Sequence, residues 1–439
     1  MGFGVIGSVL LLSFSTADAA GFLQNLRSQA FVGAGYKSKV FCSGVFVEGK
    51  TASAVLGEDF LSADSRLQRI QVGSNRRDTA WAGVFRTARS SQYLGPRLGC
   101  VLNDGKRLPY QVTYQGAYAP NALKTNIDPL LQARVLSLFG AERWRRGQRT
   151  EAFLVLRDGQ IIAEAYRAGT RPDQTLHGWS LSKSVTHALV GRAVAMGLVG
   201  RPENTRVQTR GGVEIPLRNL LEMNSGLHFH EDNSSSFSDS TRMYFAQSDI
   251  AAYAANKPLI HPIGRHWSYS SGSSSLASLA LRRAFARHQD YLDFPHAEFF
   301  SRVMPSAVFE IDPQGTYVAG GGVFATARDW AQFGQLYLDR GRLGGRDFLP
   351  SGWTDWACRP NSSTLHGQYG AGFWTNGFEN SPHRPWPKLP ADACSGVGYL
   401  GQMVLIVPSL RLVVVRLAGD SFDGAWTPNE ASALGLDPG

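Results

Sequence analysis

Apolar residues follow two patterns along this chain. EAFLVLRDGQIIAEAYRAG (151–169) carries two β-rich runs around Asp158-Gly159, which predicts a tight hairpin. MVLIV (403–407) and RLVVVRL (411–417) flank Pro408-Ser409 and predict a second hairpin. Between them the spacing turns helical. In WSLSKSVTHALVGRAVAMGLVG (179–200), Val185, Leu189, Ala193 and Met196 lie close to one face, and Gly197 and Gly200 mark the end. Residues 201–300 read as mostly helical and loop-rich. ATARDWAQFGQLYLDRG (325–341) predicts another helix, with Thr326 as N-cap, Asp329 in the first turn and Gly341 as the stop. Residues 20–150 are mixed; VFCSGVFV (40–47) and TAWAGVFR (79–86) read as strands. Strands at both ends with helices between predict an α+β fold rather than an alternating βαβ sheet. There is no internal repeat.

Near the start, VIGSVLLLSF (5–14) has the length of a signal-peptide core, and Ala17-Asp18-Ala19 is an A-x-A-like cleavage site. This predicts a signal peptide over 1–19, although no Lys or Arg precedes the apolar run; a buried N-terminal helix is the alternative. No cysteine stands at the cleavage point, so a lipid anchor is not indicated. Cys42, Cys100, Cys358 and Cys394 lack C-x-x-C spacing. They allow three connectivities. Their nearness in sequence favours Cys42–Cys100 and Cys358–Cys394, with four reduced, buried thiols as the alternative. Export to the periplasm or medium is the expected localisation.

Composition narrows the class. The 439 residues are 43% hydrophobic, enough for a substantial core, and charged residues reach only 18% with no long like-charge block. Beyond the N-terminus no apolar run is long enough to span a bilayer, so no integral membrane span is expected once the signal is removed. The net charge is +9, but the bases are scattered, which argues against nucleic acid as a partner. The expected organisation is a signal peptide (1–19), an N-terminal extension (20–150) packing on the catalytic domain, and the catalytic domain (151–435).

The candidate chemistry opens the first long helix. Ser180-Leu181-Ser182-Lys183 is S-x-x-K, and residues three apart share a helix face. A serine hydroxyl becomes nucleophilic when a base takes its proton, and a lysine can be that base. Backbone N–H groups at the helix start favour developing negative charge. Alone, the motif is more simply an N-cap serine with a solvated lysine. Two other patterns compete. His228-Phe229-His230-Glu231-Asp232 resembles a metal-ligand run, but the remaining histidines form no second cluster, so a polar loop near the cleft is the preferred reading and no metal is expected. Gly178-Trp179-Ser180-Leu181-Ser182 breaks the G-x-S-x-G elbow at its last position, so a Ser-His-Asp triad is not the default.

Downstream of Ser180, five segments give the motif its context: Leu220–Leu227, Tyr269-Ser270-Ser271-Gly272, Gly320-Gly321-Gly322, Tyr369–Trp374 and Gly398-Tyr399-Leu400-Gly401-Gln402. Over roughly 150–420 this order resembles the serine β-lactamase and penicillin-binding-protein superfamily, most of all its class C-like esterases and 6-aminohexanoate-dimer hydrolases. The resemblance implies a β-lactamase-like fold, an antiparallel sheet flanked by helices with an inserted helical lobe. It makes Ser180 the acylated nucleophile, Lys183 its partner, and Tyr269 the tyrosine of Y-x-N, with Ser271 in place of Asn. Tyr399-Leu400-Gly401 falls where the family carries K-T-G on an edge strand; only Gly401 is kept. Gln402 matches the residue whose N–H completes the oxyanion hole with that of Ser180, a backbone role that tolerates side-chain change. Gly320–Gly322 is assigned no catalytic role.

The expected function is therefore an exported serine hydrolase that cleaves a small-molecule ester or amide through an acyl-enzyme, without metal or organic cofactor. The sequence leaves open the oligomeric state, the substrate, and which of Lys183 and Tyr269 is the base. A penicillin-recognising D-Ala-D-Ala carboxypeptidase or β-lactamase is the nearer alternative. A catalytically silent binding protein on the same fold is the more distant one.

Overall fold

The computed structural model describes residues 16–60, 65–75, 77–84, 87–119, 123–421 and 426–435. Its centre is a seven-stranded sheet. The order is Trp374–Thr375, Cys394–Gly398, Gln402–Val407, Leu412–Ala418, Thr150–Arg157, Gln160–Tyr166, Lys124–Thr125. All neighbours are antiparallel except the last pair. Leu412–Ala418 pairs with Thr150–Arg157, which joins two segments far apart in the chain and leaves the helical lobe as an insertion between them. The α+β expectation holds, with the helical lobe inserted between strands of an antiparallel-rich sheet.

Both predicted hairpins form. Asp158 and Gly159 take the positive φ values, 50° and 74°, of a two-residue turn. Pro408–Leu410 forms a 3-10 turn before the second return strand. The strands are apolar at nearly every position because both sheet faces are covered. Leu154, Leu156, Val404, Ile406, Val413 and Val415 join the main core under the helices. Phe153, Val155, Met403, Leu405 and Val414 meet Leu131, Val135 and Trp426 on the other face. The body of the sheet thus begins before residue 150, with Lys124–Thr125 and the helix Pro129–Leu136.

Leu181–Ala195 is the first long helix after the hairpin, and Gly197 ends it at φ 72°. It is buried on almost every side, so it runs through the core rather than lying on it. Met196, read as part of the apolar face, lies just past the last turn and is 39% exposed. Ala327–Leu338 packs across the sheet; Gly334 leaves room for Val404 and Val413. The Thr326 hydroxyl caps it by accepting from the Asp329 N–H at 3.3 Å.

The N-terminal part differs from expectation. Thr16–Cys42 is one long helix, continued by a π-helical turn over Ser43–Val47, so the run at 40–47 is not a strand. A short apolar run fits either element by periodicity, and here the preceding helix simply extends through it. The helix packs on a four-stranded antiparallel sheet, Gln71–Ser74, Thr79–Val84, Thr87–Tyr93 and Cys100–Leu102. The predicted strand at 79–86 is therefore present over 79–84; Phe85 and Arg86 lie outside the described residues. So does the apolar run 5–14. Cys42–Cys100 and Cys358–Cys394 are both disulfides, with Cα–Cα separations of 6.1 and 5.4 Å. Among the described residues no helix is long and apolar enough to cross a membrane.

Candidate active site

Ser180 stands at the entrance to the Leu181–Ala195 helix, as its N-cap. The chain reaches it through Trp179, whose φ of 48° is a left-handed conformation that an aromatic residue rarely takes. Packing holds it there. The indole stacks on His177 with centroids 4.0 Å apart, and His177 stacks on Phe324 at 4.1 Å. The Ser182 hydroxyl donates to the Trp179 carbonyl at 2.6 Å and accepts from the Val323 N–H at 2.9 Å. The second serine of the motif is thus spent on fixing the bend before the first. Burial pushes the His177 imidazole down to about 3, which keeps it neutral.

Lys183 is 3% exposed and donates three hydrogen bonds. The acceptors are Ser180 Oγ at 2.9 Å, Ser271 Oγ at 3.0 Å and the Gly320 carbonyl at 2.8 Å. Three acceptors match the three N–H bonds of an ammonium. Tyr269 meets the same nitrogen differently: Nζ lies 4.7 Å from the centroid of its ring, a cation–π contact. That ring is stacked on Trp374 at 5.4 Å and set edge-on to Tyr369 at 5.9 Å. The structure therefore brings Ser180, Lys183, Tyr269 and Ser271 together.

Two members of the cluster carried no catalytic assignment from the sequence. Gly320 supplies a carbonyl to Lys183, and a β-carbon there would collide with the Tyr244 hydroxyl and crowd Ser271. Glu231 takes the Ser271 hydroxyl at 2.6 Å and the Ser271 N–H at 2.8 Å. Ser271 opens the helix Ser271–Arg283, so the carboxylate also sits at a helix N-terminus. Glu231 belongs to the run that resembled a metal-binding pattern; its neighbours His228 and His230 are exposed. The one available signal was a carboxylate in a run already placed near the cleft. Burial, reinforced by the Glu231 charge, raises the Tyr244 hydroxyl well above its ordinary range.

Tyr399-Leu400-Gly401 is neither a strand nor at an edge. It is the turn between Cys394–Gly398 and Gln402–Val407, and Trp374–Thr375 is the edge strand. Leu400 and Gly401 have φ of 64° and 87°, which a strand cannot accommodate. Gly401 must be glycine, since a β-carbon would strike the Arg416–Asp420 ion pair. Gln402 closes the hairpin opposite Gly398. Its buried side chain donates to the Tyr399 and Ala418 carbonyls and accepts from the Ala418 N–H. Gly398, the last residue of its strand, and Tyr399, the first of the turn, touch the approach to Ser180. A β-carbon on Gly398 would collide with the Gly178 carbonyl, and the Tyr399 ring lies edge-on to Trp179 at 5.3 Å. Arg265 and His266, just before Tyr269, are exposed.

A family model described as Beta-lactamase matches residues 137–425. The chain belongs to the beta-lactamase family. Within that family it is 26% identical over 289 residues to a 6-aminohexanoate-dimer hydrolase of Paenarthrobacter ureafaciens, covering 61% of this chain and 72% of that one. Among solved structures, it superposes on a Bacillus anthracis protein classed with the 6-aminohexanoate-dimer hydrolases, with TM-score 0.57 and 20% identity over 72% of this chain and 86% of that one. A penicillin-binding-protein homolog from Caulobacter crescentus gives TM-score 0.51 and 16% identity, covering 67% and 93%. These two structural likenesses show the fold. This chain is thus a β-lactamase-fold protein whose matched relatives include hydrolases, and its first 136 residues lie outside the family match.

Proposed function

We propose that this beta-lactamase-family protein is an exported serine hydrolase that cleaves esters or amides through an acyl-enzyme on Ser180. The observation that carries the reading is the 2.9 Å hydrogen bond between Lys183 Nζ and Ser180 Oγ. In its neutral form Lys183 has a lone pair for the Ser180 proton. As that proton moves to Nζ, Oγ bonds the substrate carbonyl carbon. The ammonium so formed donates to Ser271 and Gly320, and its third proton goes to the departing alcohol or amine. Water then attacks the acyl-enzyme, gives one proton to Lys183, and releases the acid as Ser180 recovers its hydrogen.

The geometry favours Lys183 over Tyr269 as the base, because Tyr269 meets the amine through its ring. Glu231 and Ser271 are positioning residues: they fix the second acceptor of Nζ. The N–H of Ser180 is one oxyanion donor. For the other, the packing of Gly398 on Gly178 supports the N–H of Tyr399 in place of Gln402, whose position lies across the hairpin. Two disulfides support export to the periplasm or medium.

Esters and amides without a β-lactam carboxylate are the favoured substrates. The Tyr399-Leu400-Gly401 turn beside Trp179 carries no cation, and a neutral hydrogen bond has roughly half the strength of a charge-assisted one. The test compares kcat/KM for p-nitrophenyl butyrate with that for a chromogenic cephalosporin. The ester should be the better substrate by at least about tenfold, or ~1.4 kcal/mol. A cephalosporin preferred by that factor would overturn the assignment in favour of a β-lactamase.

A further inference from the structure

A cavity of about 120 Å³ lies between the N-terminal part and the catalytic lobe. One wall comes from the end of the long first helix and the segment after it, through Lys39, Ser43 and Lys50. This wall lies outside the family match. The opposite wall includes Leu400, Trp179, which precedes Ser180 in the chain, and Tyr244, whose hydroxyl lies against Gly320. The cavity therefore reaches residues next to the reacting centre, Trp179 before Ser180 and Tyr244 against Gly320.

Arg149 also lines it. Its Nε and Nη1 are buried and meet no acceptor among the described residues. The backbone holds it in place: its N–H donates to Asp420 Oδ1 at 2.7 Å, and its carbonyl accepts from the Gly419 N–H at 2.9 Å. The Asp420 N–H donates in turn to the Leu400 carbonyl at 3.0 Å. Arg149 is thus tied through one residue to the Tyr399–Gly401 turn. Its guanidinium lies 5.5 Å from the centroid of the Trp144 ring.

The acids around the cavity are engaged elsewhere. Glu310 pairs with Lys39, Glu48 and Asp59 with Lys50, and Glu58 and Glu151 with Arg167. Asp312 accepts the N–H groups of Ile250, Gln314 and Thr316. Burial pushes Asp312 up to about 6, and burial with the neighbouring Glu48 raises Asp59. Arg149 is the lining cation with donors to spare, and buried guanidinium donors suit carboxylate oxygens.

We infer that this cavity receives the acyl chain of the substrate and that Arg149 binds a carboxylate at its far end. The substrate class is then half-esters or half-amides of straight-chain dicarboxylic acids, with Trp179 and Leu400 flanking the methylenes. The inference rests on Ser180 as the nucleophile.

The test uses mono-p-nitrophenyl esters of a series of dicarboxylic acids beside their methyl-capped diesters. For one chain length the intact protein should prefer the charged ester by roughly tenfold in kcat/KM, carried by KM. Arg149→Gln should abolish that ratio, and Arg149→Lys should restore part of it. Calorimetric binding of the matching dicarboxylate mono-anilide to Ser180→Ala, with and without Arg149→Gln, separates this from the assignment of the nucleophile. Weaker binding in the double variant upholds Arg149 even if hydrolysis does not pass through Ser180. The inference is overturned if the charged-to-capped ratio is the same in parent and Arg149→Gln, or if the mono-anilide binds both proteins equally.

Discussion

Glu231 grips Ser271 at two points, hydroxyl and N–H, and through it fixes the acceptor that Ser271 offers to Lys183. A carboxylate two bonds removed from the amine thus sets the geometry of the proton acceptor beside Ser180. Glu231→Gln keeps the size but weakens a charge-assisted pair. Losing such a bond costs about 1.5–3 kcal/mol, or roughly ten- to a hundredfold in kcat/KM. Removing a negative charge near the ammonium should also move the acid limb of the pH–rate profile to lower pH. A profile that keeps both its height and its position would exclude the positioning role.

Lys183→Arg should be nearly inactive, because a guanidinium stays charged and cannot accept the serine proton. Circular dichroism should show the helix intact, so the loss would report on chemistry. An Arg variant that acylates at a rate comparable to the parent would rule out Lys183 as base.

Tyr269 separates two mechanisms. If its ring holds Lys183, Tyr269→Phe keeps the cation–π contact and should cost less than about tenfold in kcat. Tyr269→Ala should cost clearly more. A loss of several orders of magnitude in the Phe variant would instead make the hydroxyl a proton-transfer group.

Burial pushes His177, His187 and His296 each down to about 3. A histidine kept neutral in the fold stabilises it fully above its unfolded pKa of about 6.5, and that stability is lost as pH falls toward 3. Urea midpoints should therefore drop steadily below pH 6.5. His296→Phe should flatten the slope by up to about 1.4 kcal/mol per pH unit. An unchanged slope would show that His296 does not take up a proton on unfolding in that range.

Much of this arrangement was legible in the sequence because it is local. The Asp158-Gly159 turn, the Thr326 cap and the S-x-x-K spacing each depend on residues within one element. The parts that were missed depend on pairing across the fold. Glu231 meets Ser271 from forty positions away, within a run whose histidines suggested a metal. The resemblance to K-T-G places Tyr399–Gly401 on an edge strand, while its backbone is set by the Arg416–Asp420 pair beneath Gly401. The 40–47 run is helical because the helix from Thr16 continues into it, which no window of eight residues reveals.

The central claim is covalent, so its most direct measurement is mass. The protein is treated with a fluorophosphonate or a slowly released p-nitrophenyl ester, then subjected to intact-mass measurement and peptide mapping. The expected result is one adduct, on the peptide carrying Ser180, absent in Ser180→Ala. An adduct on another residue, or hydrolysis by Ser180→Ala at near-parental rate, would contradict the assignment.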